Sequence, residues 1–135
     1  MKPSPNMLCP CGSGNKYKKC CSKYHKGAFA PDALSLMRSR YSAYAVGNSS
    51  YIIKTTHPDN PDYTTDIKNW EDSILSFSKQ TNFLGLEIID FIDGEEEAFV
   101  TFNARLSSGD LKEKSRFLKL FGRWFYADGT FTDAV

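Results

Sequence analysis

The sequence predicts an α+β domain, with helices first and an antiparallel sheet second, preceded by a small separate head. Three observations predict it. Apolar residues step by three and four between residues 31 and 79, as one face of a helix requires. From Phe83 onward the period changes to two, and glycine-containing turns interrupt the alternation where hairpins reverse. All four cysteines lie between Cys9 and Cys21, in a stretch too poor in apolar side chains to fold on burial alone. Helices and strands segregated along the chain define the class.

The first body helix is expected over 31–46. Pro31 suits a first helical position and Gly47 the position just past the end, while Leu34, Met37, Tyr41 and Tyr44 form one apolar face. Asn48 can cap a second helix that Pro58 stops. A third, over 65–79, places Ile67, Trp70, Ile74 and Phe77 on one side. The first strand, "LGLEIIDFID", ends at Asp93-Gly94, and "EEEAFVTFNARL" sets Ala98, Val100, Phe102, Ala104 and Leu106 on one face. Ser108-Gly109 turns the chain into "KEKSRFLKLF", and Gly122 turns it into "RWFYADG", which closes at Asp128-Gly129. Trp70, Trp124, Phe125 and Tyr126 are expected in the core or as a pocket wall. The junction near 27–30 divides a head, residues 1–29, from a body, residues 30–135.

The charge is just as divided. Residues 1–30 carry six lysines and no acid, whereas the remainder carries 11 basic side chains against 16 acidic ones. No membrane span or secretory leader is expected from the sequence, which points to the cytoplasm and to reduced thiols.

The thiols sit in "MLCPCGSGNKYKKCCSKYH". Buried structural cysteines need an apolar surrounding that Pro10, Gly12, Ser13, Gly14 and the lysines cannot supply. Disulfide or redox chemistry meets a reducing compartment and has no C-x-x-C to use, although nearby lysines can lower a thiol pKa. Structural zinc wants four Cys or His ligands in a closed tetrahedron, which Cys9, Cys11, Cys20 and Cys21 supply as two close pairs. Its binding contributes roughly 10–16 kcal/mol in comparable small units. One structural Zn²⁺ is therefore expected. His25, one helical turn after Cys21, is the rival fourth ligand; as a non-ligand it would be a solvated surface histidine.

"CPCGSGNKYKKCC" resembles the SEC-C motif, the zinc-binding tail of the SecA translocation motor, in which C-x-C-x-S-G precedes adjacent ligands. That resemblance implies that vicinal Cys20 and Cys21 ligate together. With "LMRSRYSAY", the "THP" at Thr56, His57 and Pro58, "FNARL", "EKSRF" and "GRWFYADG", the chain resembles the YchJ family of uncharacterised bacterial proteins. This implies a nuclear transport factor 2-like (cystatin-like) body, a curved antiparallel sheet wrapped by helices, and a metal-binding role. Some relatives carry a second SEC-C motif.

A fold of that kind often holds a pocket between sheet and helices, but fold alone does not assign an activity. Polar candidates for such a pocket are Arg38, Arg40, Tyr41, His57, Glu113, Ser115 and Arg116. Arg38 and Arg40 lie roughly 200° apart around a helix, so they cannot share a pocket; one is expected to pair with Glu113 or Asp90. Glu113 and Ser115 share a strand face that Arg116 leaves. No catalytic constellation is recognisable, so a binding protein is expected ahead of a small-molecule enzyme, and a thiol redox protein third.

The head's Lys16, Lys18, Lys19, Lys23 and Lys26 form an interaction patch. Resemblance to the SecA tail, which contacts the chaperone SecB and acidic phospholipids, places an acidic protein surface first among partners. An anionic lipid surface or nucleic acid comes after it, with Tyr17 and Tyr24 available to stack on bases. A small-molecule ligand in the body is a further expectation.

Overall fold

A computed structural model describes residues 4–131 of the chain. Helix α1 (Ser22–His25) closes the head, and helices α2 (Ala33–Val46), α3 (Ser49–Lys54) and α4 (Ile67–Gln80) precede strands β1 (Phe83–Ile92), β2 (Glu97–Leu106), β3 (Leu111–Leu120) and β4 (Arg123–Phe131). The strands form an antiparallel meander in the order β1-β2-β3-β4. Register shifts at Gly85 and Asp90 on β1, and between Arg116 and Phe117 on β3, bend it. An extra residue on one strand increases local twist and curvature, so the sheet can wrap the helices.

Helices α2, α3 and α4 each start on an oxygen that satisfies an orphan N–H. Asp32 accepts from Ser35, Asn48 from Tyr51 and Asp66 from Asn69. Pro31 therefore precedes the Asp32 cap and does not occupy the first helical turn. Helix α3 ends at Lys54, before Pro58 is reached, because Thr56 bridges in parallel to Tyr126. The His57 N–H donates to the Tyr126 carbonyl at 2.8 Å, and the Tyr126 N–H to the Thr55 carbonyl at 2.9 Å. This segment covers the β4 edge that would otherwise offer unpaired backbone groups.

Strand β4 runs through Asp128 and Gly129, where the sequence predicts a turn. Ser115 pairs with Gly129 and Glu113 with Phe131. Cross-strand pairing uses the residues that local turn chemistry had claimed. Glycine is required there for a different reason: a Cβ on Gly129 would lie 2.8 Å from the Tyr126 hydroxyl and closer still to the Glu113 carboxylate. Strand β2 buries Ala98, Val100, Phe102, Ala104 and Leu106, the face read from its alternation.

Helix α2 is the hub of the molecule, touching α1, α3, α4, β1, β2 and β4. Met37 and Tyr41 face the sheet core, as the periodicity predicts, but Ser39, Ser42 and Ala43 are also sealed, each 0% exposed. The sequence shows one apolar face because the other is built from small polar residues, and the head covers it. The division of the charge along the chain gives no sign of that contact.

Candidate metal centre and body cavity

The head is a short hairpin followed by two helical turns. Leu8 bridges Lys16 in antiparallel, and the Cys9 N–H donates to the Asn15 carbonyl at 2.8 Å. Gly12 and Gly14 reverse the chain with φ of 79° and 86°, conformations that a Cβ disfavours. The 3₁₀ turn Tyr17–Lys19 then delivers Cys20 and Cys21 to the same point.

Four sulfurs converge there. One Sγ from each of Cys9, Cys11, Cys20 and Cys21 lies within 4.8 Å of all the others. Cys11 and Cys20 are 3.6 Å apart, and the vicinal Cys20 and Cys21 are 4.0 Å apart. Tetrahedral zinc–thiolate geometry, with Zn–S of ~2.3 Å, has edges of about 3.8 Å, whereas a disulfide needs ~2.05 Å. The four donors are soft, nearly enclosed and equal in number to a closed tetrahedral shell, so they fit a bound metal ion.

Hydroxyls support the sulfurs. Ser13 Oγ lies 3.2 Å from Cys20 Sγ, and Ser42 Oγ lies 3.4 Å from both Cys9 Sγ and Cys21 Sγ. Without a cation the cluster cannot hold four adjacent negative charges. Charge gathers on Cys11, whose thiol falls well below its usual range because Cys21 and Cys9 donate to it, with further help from Ser13. Cys21 rises correspondingly, first through its bonds to Cys11 and Cys9 and then through burial. A cation removes that competition, since every ligand must then be a thiolate.

His25 stands apart from this cluster, and it is not a solvated surface histidine. Its Nε2 lies 2.8 Å from the Ser39 carbonyl, and its Nδ1 lies 2.5 Å from the Tyr17 hydroxyl. A carbonyl only accepts, so Nε2 carries the proton and Nδ1 accepts from Tyr17. Both ring nitrogens are committed. Tyr17 is itself buried and bonded to His25, which removes it as a free stacking platform for bases.

Arg38 donates to the Cys11 carbonyl at 3.1 Å, fastening the cysteine loop to α2. The five lysines Lys16, Lys18, Lys19, Lys23 and Lys26 are exposed, and none forms an ion pair among the described residues. Lys2, the sixth basic residue of the head, lies outside the described residues.

The body encloses a cavity of about 650 Å³ between the curved sheet, α2 and α4. Of the candidate polar residues, Arg40, Tyr41, Glu113 and Ser115 line it, and Tyr126 joins them. Glu113 Oε2 accepts from the Ser115 hydroxyl and from the Tyr126 hydroxyl, the latter at 3.0 Å. Burial is the first cause and the Glu113 charge the second that push the Tyr126 phenol above its usual range, so it stays a donor. The Arg40 guanidinium stacks 4.6 Å from the centre of the Tyr126 ring. Its Nη1 donates to Ile52 O, Thr55 Oγ1 and Thr56 Oγ1 at 3.1, 2.8 and 3.2 Å.

Among the described residues neither arginine of α2 pairs with a carboxylate, contrary to the expectation of an ion pair with Glu113 or Asp90. The main-chain and hydroxyl oxygens at the end of α3 compensate Arg40 instead, and the head takes Arg38. His57 and Arg116 are outside the cavity as well. His57 Nδ1 accepts the Asp59 N–H at 3.0 Å, closing a turn. Arg116 bridges Glu97 at 2.7 Å and Asp128 at 2.9 Å on the outer sheet face. Tyr126 lines the pocket as expected, and its hydroxyl role follows from the tertiary pairing of β3 with β4.

Residues 32–129 match the family model for the middle NTF2-like domain of YchJ, and residues 6–23 match the SEC-C motif. A UPF0225 protein of Streptomyces coelicolor is 41% identical over 133 residues, covering 96% of this chain and 99% of its own length. A UPF0225 protein of Serratia proteamaculans is 41% identical over 132 residues, covering 91% of this chain and 82% of its own. The solution structure of a SEC-C motif containing protein from Rhodopseudomonas palustris superposes with a TM-score of 0.80 at 32% identity, covering 94% of this chain and all (100%) of that one. A crystal structure of a SEC-C motif containing protein from Psychrobacter arcticus gives a TM-score of 0.73 at 31% identity, covering 94% and 84%. A designed protein with a curved β-sheet, only 10% identical with a TM-score of 0.53, shares the fold alone.

Proposed function

The chain belongs to the UPF0225 family, joining a SEC-C motif to a YchJ-type NTF2-like domain, and on that premise we propose that it is a zinc-stabilised binding protein. The observation that carries this reading is the convergence of four sulfurs within 4.8 Å of one another. Soft thiolate donors in a closed set of four favour zinc in a structural role, because no position is left for water or substrate. The ion turns a lysine-bearing peptide into a rigid knob and locks it onto α2. No chemistry passes through it.

The knob is a docking surface for an acidic protein partner. Five exposed lysines without acidic partners support that reading, as does the body's opposite charge, which steers such a partner toward the head. Native mass spectrometry of chain prepared under reducing, metal-replete conditions tests the premise. One zinc per chain is expected in the wild type and none in Cys9→Ala or Cys20→Ala. Metal-free wild-type protein, or metal retained in both variants, would overturn it. Thiol alkylation that is slow until a chelator is added separates structural zinc from redox use of the same cysteines. For docking, reversal of the five lysines to glutamate should abolish one reproducible acidic partner in a pull-down while leaving the zinc in place.

A further inference from the structure

The cavity in the body has an electrostatic asymmetry that the metal-bearing head does not explain. Glu113 is 8% exposed, and both of its recorded hydrogen bonds go to one oxygen, Oε2. No ion pair forms to it among the described residues. Its other oxygen, Oε1, has no hydrogen-bond partner among the described residues. Glu113 is itself a lining residue of the cavity.

A buried carboxylate held this way is aimed rather than neutralised. Ser115 and Tyr126 fix Oε2, and Gly129 leaves the room that the carboxylate occupies, so Oε1 is the oxygen left for a ligand's donor. The lining contains a second carboxylate, Asp62, and one cation, Arg40. Two carboxylates against one guanidinium leave the lining formally negative, with Asp62 at its exposed rim, and Arg40 is already engaged by three oxygens and by the face of Tyr126. The remaining wall is largely aromatic, including Trp70, Phe77, Phe83 and Phe102. Aromatic faces attract cations, and a desolvated carboxylate binds a charged N–H donor more strongly than a neutral one.

We propose that this cavity binds a small organic cation: an apolar or aromatic body seated between α4 and the sheet, with a protonated amine donating to Glu113 Oε1. A volume of about 650 Å³ accommodates a molecule of two or three rings, within the range of small-molecule sites. The site uses residues of α2, α4 and the sheet, so it stands or falls separately from the zinc reading.

Three matched probes test it by isothermal titration calorimetry on the intact, metal-loaded chain at pH 7: 2-(aminomethyl)naphthalene, 2-naphthalenemethanol and 2-naphthoate. The amine should bind at least about tenfold more tightly than the alcohol, with the carboxylate weakest, as a charge-assisted bond replaces a neutral one. Glu113→Gln, nearly identical in shape, should bring the amine down to the affinity of the alcohol and leave the alcohol little changed. The proposal is overturned if none of the probes binds, if amine and alcohol bind equally, or if naphthoate binds best, which would make Arg40 the selecting group. Survival of the amine preference in Glu113→Gln would overturn it equally. The wild-type ranking decides the matter even where that variant does not fold.

Discussion

His25 donates from Nε2 to the main-chain carbonyl of Ser39, 2.8 Å away, and so ties the head to the helix at the centre of the body. Ser39 spends its hydroxyl proton on the Leu36 carbonyl at 2.8 Å, so Tyr51, 2.6 Å away, must donate to it. Head, α2 and α3 meet at this one residue.

That junction should respond to acid. Burial is the largest cause holding the His25 pKa below 6.5, with Lys54 adding to it and the Ser39 carbonyl opposing it. A half-buried histidine kept neutral binds fewer protons folded than unfolded. Its contribution is therefore complete above the unfolded value, about 6.5, and is lost as pH falls toward the lower folded value. Thermal unfolding between pH 7.5 and 5 should show a steeper loss in the wild type than in His25→Gln. Parallel curves would refute this role.

Ser42→Ala should weaken the metal centre without unfolding the body. The hydroxyl lies 3.4 Å from two of the four sulfurs and is 0% exposed. Supporting groups of this kind typically change metal affinity by about 10–100-fold. Competition with a chromogenic chelator should place the variant near the lower end, because Ser13 still supports Cys20. Equal chelator resistance in the two proteins would count against it.

Metal removal should loosen the head before the body. The buried cysteines and Tyr17 form a cluster separate from the main core, which has its own residues on α2, α3, α4 and the sheet. Hydrogen exchange after chelation should rise first at the head and at the covered face around Ser39 and Ser42. Exchange rising together throughout the sheet would show that the two parts unfold as one.

Gly129→Ala should destabilise the fold by about 1–3 kcal/mol, the usual range for forcing a group into a packed site. The added methyl meets the buried Glu113 carboxylate and the Tyr126 hydroxyl, which are hydrogen-bonded to each other. Urea unfolding measures the loss, and a midpoint equal to wild type would show that β4 shifts to accommodate it.

The arginines should behave in opposite ways. Arg116→Ala, on the outer face with both partners partly exposed, should change stability by less than ~1 kcal/mol and lose even that in high salt. Arg40→Ala strips three oxygens of a donor inside the fold and should cost about 2–3 kcal/mol or more, with little salt dependence. Equal effects in urea unfolding would contradict this distinction.

What the sequence determined by itself is what short spacing controls. Two close cysteine pairs around a glycine turn define a four-sulfur set, and alternation along β2 names its buried face. Caps and left-handed glycines punctuate the helices, because those preferences act within a few residues. Tertiary structure alone decided which surfaces meet. A helix with one apolar face turned out to be covered on both, since small serines admit the head closely while leaving no hydrophobic signal. His25 became a half-buried tie, and Asp128-Gly129 a paired strand segment. Glu113 became an aimed carboxylate, because groups distant in the chain supply the protons, the space and the desolvation that local sequence cannot encode.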